Sequence, residues 1–169
     1  MNGSLLADAF GHHVWATVEL IDACVALTPE QLGMGVPGTY GSILDTLRHI
    51  VGADASYLSV LSGGAVPEIE EEKADLAALR AAMTASGPAW ASLLAGDLDP
   101  AAIIVRHRDD GTDSAAPLSI RLAQALHHGT DHRSQVCTAL TSLGAKPPSI
   151  DAWDYAAKDG RLSVTPTPR

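Results

Sequence analysis

The segment Leu126 to Val136 reads LHHGTDHRSQV and places His128 and His132 four residues apart. In a helix such a pair lies one turn apart on one face, with both side chains pointing the same way. Two imidazoles in that arrangement form a bidentate clip for a borderline metal ion, each supplying one nitrogen at about 2.0–2.1 Å. The spacing alone fits equally well with two surface histidines that happen to align, so a third ligand from another helix decides the matter. His49 is the best candidate for it. At about 100° per residue it falls roughly opposite the apolar stripe Ile43, Leu44, Leu47, Ile50, Val51, Leu58 and Leu61, where packing does not require it. An ordinary solvated histidine would occupy the same position.

Other side chains could serve such a site from outside. His13 sits at the edge of the stripe Val14, Val18, Ile21 and Val25, either as a proton shuttle or ligand-orienting group or as a half-buried packing residue. Arg121 and Gln135 share the shoulder that carries the His pair; each could orient an anionic substrate or a ligand imidazole, or simply be wet. His12, His107, His127 and Asp131 read as solvated, and Trp15, Tyr57, Trp90 and Trp153 as core or boundary aromatics. Cys24 and Cys137 lie far apart, outside any Cys-x-x-Cys motif, and read as small apolar residues rather than nucleophiles. The glycines of residues 33–41 lack the Gly-Lys-Ser/Thr of a phosphate loop.

Four long helices must position these groups. The first is expected from Leu5 to Leu27, stopping before Thr28-Pro29. The second runs from an N-cap at Ser42 to Ser62-Gly63-Gly64, after a glycine-rich loop. The third starts near Pro67 to Lys73, where the acidic run EIEEE suits the positive end of a helix dipole, and reaches about Ala95 with a kink or break at Gly87-Pro88. Ile103 to Arg108 and Thr112 to Ala116 form a small hairpin about Asp109-Asp110-Gly111. The last long helix spans Pro117 to Leu143, and a short one follows from Asp151 to Ala157. Two charges fall inside apolar stripes, Asp54 in the second helix and Arg133 in the fourth. An unpaired buried charge is very costly, so the two are expected to form a structural ion pair. The architecture is all-α: a four-helix bundle with a small β-hairpin before its last long helix, forming one domain over 1–160 with a flexible tail at 161–169.

Composition agrees and excludes several classes. A chain of 169 residues that is 46% hydrophobic can bury a real core, and only 4% of it is aromatic. Twenty acidic against 11 basic residues give a net charge of -9, which argues against nucleic-acid partners. No apolar run is long enough to span a bilayer, and Met1 to Phe10 lacks the layout of a secretory signal, so a cytoplasmic location with no membrane partner is expected.

The helix-two stretch SILDTLRHIVGADASYL, the helix-four stretch LHHGTDHRSQV and the opening GHHVWATVELIDACVALTPEQL resemble the DinB / YfiT-like metalloenzyme superfamily, over about residues 5–160. The resemblance implies an up-down-down-up bundle, often a homodimer. It also implies one divalent metal ion, zinc or nickel foremost, held by His49, His128 and His132. Asp54 and Arg133 match positions where the family usually has an acid and an arginine. Asp131 stands where members often have His, and Ser134 where they have Gly; neither departure removes a ligand. Three protein nitrogens leave a fourth position for water or substrate, the layout of a catalytic site. Characterised relatives include transferases and isomerases that use low-molecular-weight thiols such as mycothiol or bacillithiol. The leading expectation is thus a metal-dependent enzyme acting on a small molecule, thiol-dependent transfer or isomerisation first and hydrolysis second. The rival is a non-catalytic metal-binding stress protein.

Overall fold

The computed structural model describes residues 4–108 and 110–165. Six helices and one hairpin account for its regular structure: α1 (Leu5–Cys24), α2 (Pro29–Leu32), α3 (Ile43–Leu61), α4 (Leu76–Leu94), β1 (Ile103–His107), β2 (Asp113–Pro117), α5 (Leu118–Ser142) and α6 (Ala152–Lys158). The chain is mostly helical, as its composition predicts. Helix α1 packs against α4 and α5, and α3 packs against the same two, so α1 and α3 lie diagonally across the bundle. No helix among the described residues is long and apolar enough to cross a membrane.

Side-chain caps set most helix starts. Ser4, Ser42, Asp75 and Asp151 each accept a backbone N–H from the first turn of the helix they precede. Helix α1 ends three residues earlier than expected because Thr28 and Gln31 form a capping box that opens α2. The acidic run does not start α4; it forms only a 3₁₀ turn at Glu71–Lys73. Ala74 is extended, its carbonyl accepts from Arg48 Nε at 2.9 Å, and the helix waits for Asp75. Pro88 does not break α4. The turns beyond it are held by Trp90, which is buried against Phe10 at a ring separation of 4.2 Å and donates its indole N–H to Asp54. The hairpin pairs Ile103 with Pro117 through His107 with Asp113; Asp109, in the expected turn, lies outside the described residues.

Two apolar clusters fill the bundle. One gathers Leu20, Ile21, Leu47, Ile50, Met83 and Leu140, the other Phe10, Leu58, Trp90, Leu118 and Leu122. Between them along the helices lies a buried polar layer of His13, Thr17, Asp54 and Arg133. The expected direct ion pair between Asp54 and Arg133 is not formed, because the ring of His13 stands between them. Arg133 Nη1 lies 2.9 Å from His13 Nδ1, and His13 Nε2 lies 2.9 Å from Asp54 Oδ1. A guanidinium can only donate, so Nδ1 accepts and Nε2–H donates to the carboxylate, which fixes one neutral tautomer. Arg133 also donates to Thr17 and Thr130. Burial lowers its pKa to about 10, so it remains charged at neutral pH.

The C-terminal segment closes over α1. His12, expected to be solvated, is half-buried, with Nε2 2.8 Å from the Ile150 carbonyl. Tyr155 packs beside Trp15 at 5.5 Å, and Lys158 pairs with Glu19. Trp153, expected at the core or its boundary, is 69% exposed. Arg161, the first residue of the expected tail, is tied to Asp8 at 2.6 Å; residues 166–169 lie outside the described part.

Candidate metal centre

Helix α3 carries His49 two turns after its Ser42 cap, half-buried and off the apolar stripe of Ile43, Leu47, Ile50 and Leu58. Helix α5 packs alongside and presents His128 and His132 from successive turns. The three imidazoles meet: each offers one ligand atom, and these atoms all lie within 4.8 Å of one another. His49 Nε2 and His128 Nε2 are 3.0 Å apart. Ring centroids lie 4.7 Å apart for His49 and His128, 4.9 Å for His49 and His132, and 4.5 Å for His128 and His132. Two nitrogens each about 2.0–2.1 Å from a tetrahedral ion are a little over 3 Å apart, so the donor set and its spacing fit a divalent metal.

The electrostatics favour the same use. Burial, followed by the neighbouring imidazoles His132 and His49, pushes His128 down to about 4. Burial and His132 also lower His49. Neutral imidazoles keep the lone pairs that coordination needs. For His132 the tautomer can be read from its neighbour: Gln135 Oε1 accepts the Tyr40 backbone N–H at 2.7 Å and lies 3.2 Å from His132 Nδ1. The oxygen identity follows from the Tyr40 donor, so Nδ1 carries a proton and Nε2 is free to bind.

Tyr40 and Glu71, which the sequence did not single out, complete the surroundings. The Tyr40 ring stacks on His49 at 4.1 Å with the planes 4° apart, and meets His132 edge-on at 5.3 Å. Glu71 Oε2 lies 4.0 Å from His49 Nδ1, and burial together with Glu68 and Glu72 raises its pKa. An aromatic set among glycines was the one available cue for Tyr40; Glu71 was hidden in a run of like residues. A cavity of about 430 Å³ opens beside His49, lined by Tyr40, Asp45, Arg48 and Glu71 among others. A larger hollow of about 730 Å³ lies between the end of α3 and the hairpin and is lined by none of the three imidazoles.

Other candidates fall elsewhere. Arg121, which could orient a substrate or ligand or simply be wet, donates to the carbonyls of Ile104 and Ser114 and straps the hairpin to α5. A neighbouring strand offered free carbonyls within reach, which helix phase alone does not reveal. His13 belongs to the buried polar layer. His127 and Asp131 are exposed, as is His107, which pairs with Asp113. Burial raises the Cys24 thiol to about 12, and Cys137 shifts upward too, so neither is an activated nucleophile.

A comparison with curated proteins finds no match. Among solved structures, the crystal structure of a DinB-like protein from Bacillus cereus ATCC 10987 superposes with a TM-score of 0.63 at 19% identity, covering 83% of this chain and 91% of that one. At that identity the likeness speaks for the fold. The family model of the DinB family matches residues 1–163, nearly the whole chain. The chain belongs to the DinB family.

Proposed function

We propose that the protein binds one divalent metal ion, zinc or nickel foremost, through His49, His128 and His132. We further propose that it acts on a small molecule there, as a transferase or isomerase that uses a low-molecular-weight thiol. The observation that carries this reading is the convergence of three half-buried imidazoles from two helices within 4.8 Å. A divalent ion with three protein ligands and an open position lowers the pKa of a bound thiol or water, or polarises a carbonyl. The chain's own residues prepare the place. Gln135 fixes the tautomer of His132, Tyr40 lies flat against His49, and burial keeps His49 and His128 neutral. The adjoining cavity, with Arg48 beside Glu71 and Asp45, offers a small polar substrate charges of both signs.

Metal analysis of protein purified without a His-tag or added metal tests the first half, with wild type beside His128→Ala. One ion per chain in the wild type and none in the variant supports the site; equal content in both refutes it. A transfer assay over a panel of low-molecular-weight thiols tests the second half. Full metal occupancy without turnover of any thiol would overturn the thiol-dependent reading and leave hydrolysis or sequestration in its place.

A further inference from the structure

Glu71 stands apart from the other acids of its segment. Glu70 pairs with Lys73, and Glu68 accepts from the Ser56 hydroxyl, whereas the Glu71 carboxylate faces one edge of the neutral imidazole of His49. The opposite edge, Nε2, lies 3.0 Å from His128 Nε2. An imidazole held at Nδ1 by an acceptor presents its Nε2 lone pair in a fixed direction, which is how carboxylates outside a metal's ligand set orient histidine ligands. At 4.0 Å the Glu71 contact is about 1 Å longer than a hydrogen bond.

The helix has made room for this carboxylate. Gly52 is buried in the middle of α3, one turn beyond His49 on the same face. A Cβ at Gly52 would overlap the Cγ, Cδ and Oε1 atoms of Glu71. The glutamate side chain therefore crosses the helix backbone at the one residue that offers no side chain. The same helix holds the end of the turn that carries Glu71: the Ala74 N–H donates to the Glu71 carbonyl, and the Ala74 carbonyl accepts from Arg48 Nε at 2.9 Å.

We propose that Glu71 is a positioning residue for the three-histidine centre, reaching the Nδ1 edge of His49 across Gly52 and so aiming that imidazole at His128 and His132. The proposal rests on the metal-binding reading above and adds to it a residue pair that stands outside the three ligands.

Cobalt(II) is the probe, titrated into metal-stripped protein and followed by its visible d–d absorption. Glu71→Ala is expected to weaken cobalt binding about 10- to 100-fold and to alter the band shape. Its helical content and urea midpoint should remain those of the wild type, because the residue lies on a short half-exposed turn. Glu71→Gln, which retains an acceptor oxygen at the same reach, should recover much of the loss. Gly52→Ala, which displaces the glutamate without removing it, should reproduce the Glu71→Ala defect. Wild-type affinity in Glu71→Ala overturns the proposal, and wild-type affinity in Gly52→Ala overturns the part given to the glycine. If wild-type protein takes up no cobalt while folded, the metal-binding reading itself fails, and this proposal with it.

Discussion

Gly129 of α5 faces the Cε1 atom of His13 on α1 so closely that no Cβ fits between them. His13 cannot yield, because it is 2% exposed and held at both ring nitrogens, by Arg133 and by Asp54. Helix propensity alone would favour alanine over glycine here by up to about 1 kcal/mol. Overpacking a fixed neighbour costs about 1–3 kcal/mol, so Gly129→Ala is expected to be net destabilising. Urea denaturation measures it, and an unchanged or higher midpoint would show that His13 has somewhere to go.

Gln135 serves two partners with one oxygen, the Tyr40 amide and the His132 ring. Gln135→Ala should loosen both at once. Metal affinity is expected to fall about 10- to 100-fold, and the Tyr40 amide to exchange faster with solvent deuterium. Weaker binding with normal Tyr40 protection would place the effect on His132 alone; normal affinity would remove Gln135 from the site.

Arg121 ties the hairpin to α5. Losing its donations to Ile104 and Ser114 should cost about 1–3 kcal/mol in Arg121→Ala and raise hydrogen exchange in β1 and β2. Metal content should stay at the wild-type level. A variant that folds normally yet loses metal would restore Arg121 to the centre.

The shifted histidines set a direction for pH dependence. His128 is held at about 4 against an ordinary 6.5, and His49 is lowered too. Between those values the unfolded chain binds more protons than the folded one, so stability rises with pH across that window. Metal-stripped protein should therefore have this contribution in full above pH 6.5 and lose it as pH falls toward 4. Because carboxylates titrate in the same range, the comparison is with His128→Ala, whose midpoint should fall less over that interval. Parallel slopes for the two proteins would contradict the assigned shift.

Much of this was legible in the amino-acid order. The 3.6-residue period placed the four long helices and Ser42 marked the start of the second, although the third starts later than the acidic run suggested; the three histidines emerged as polar departures from helical stripes. What escaped depended on neighbours from other elements. The oddity of Asp54 and Arg133 was visible, but their intermediary was not, because His13 comes from a third helix and looked like an edge residue of its own stripe. Tyr40 and Glu71 lie in irregular segments, where no period marks a face. Arg121 shared its helix face with the histidine pair, yet β1 and β2 reached it first.

The two walls of the histidine cluster come from distant parts of the chain: His49 and His128 are 79 residues apart. An ion seated between them would close a loop containing all of α4 and the hairpin, acting as a non-covalent staple. A nascent polypeptide that stops short of α5 has only one of the three imidazoles, so an ion held there would report that α3 and α5 have docked. Ligation would thereby couple to global folding, and saturating metal should raise the melting temperature of the entire molecule rather than quiet a local segment.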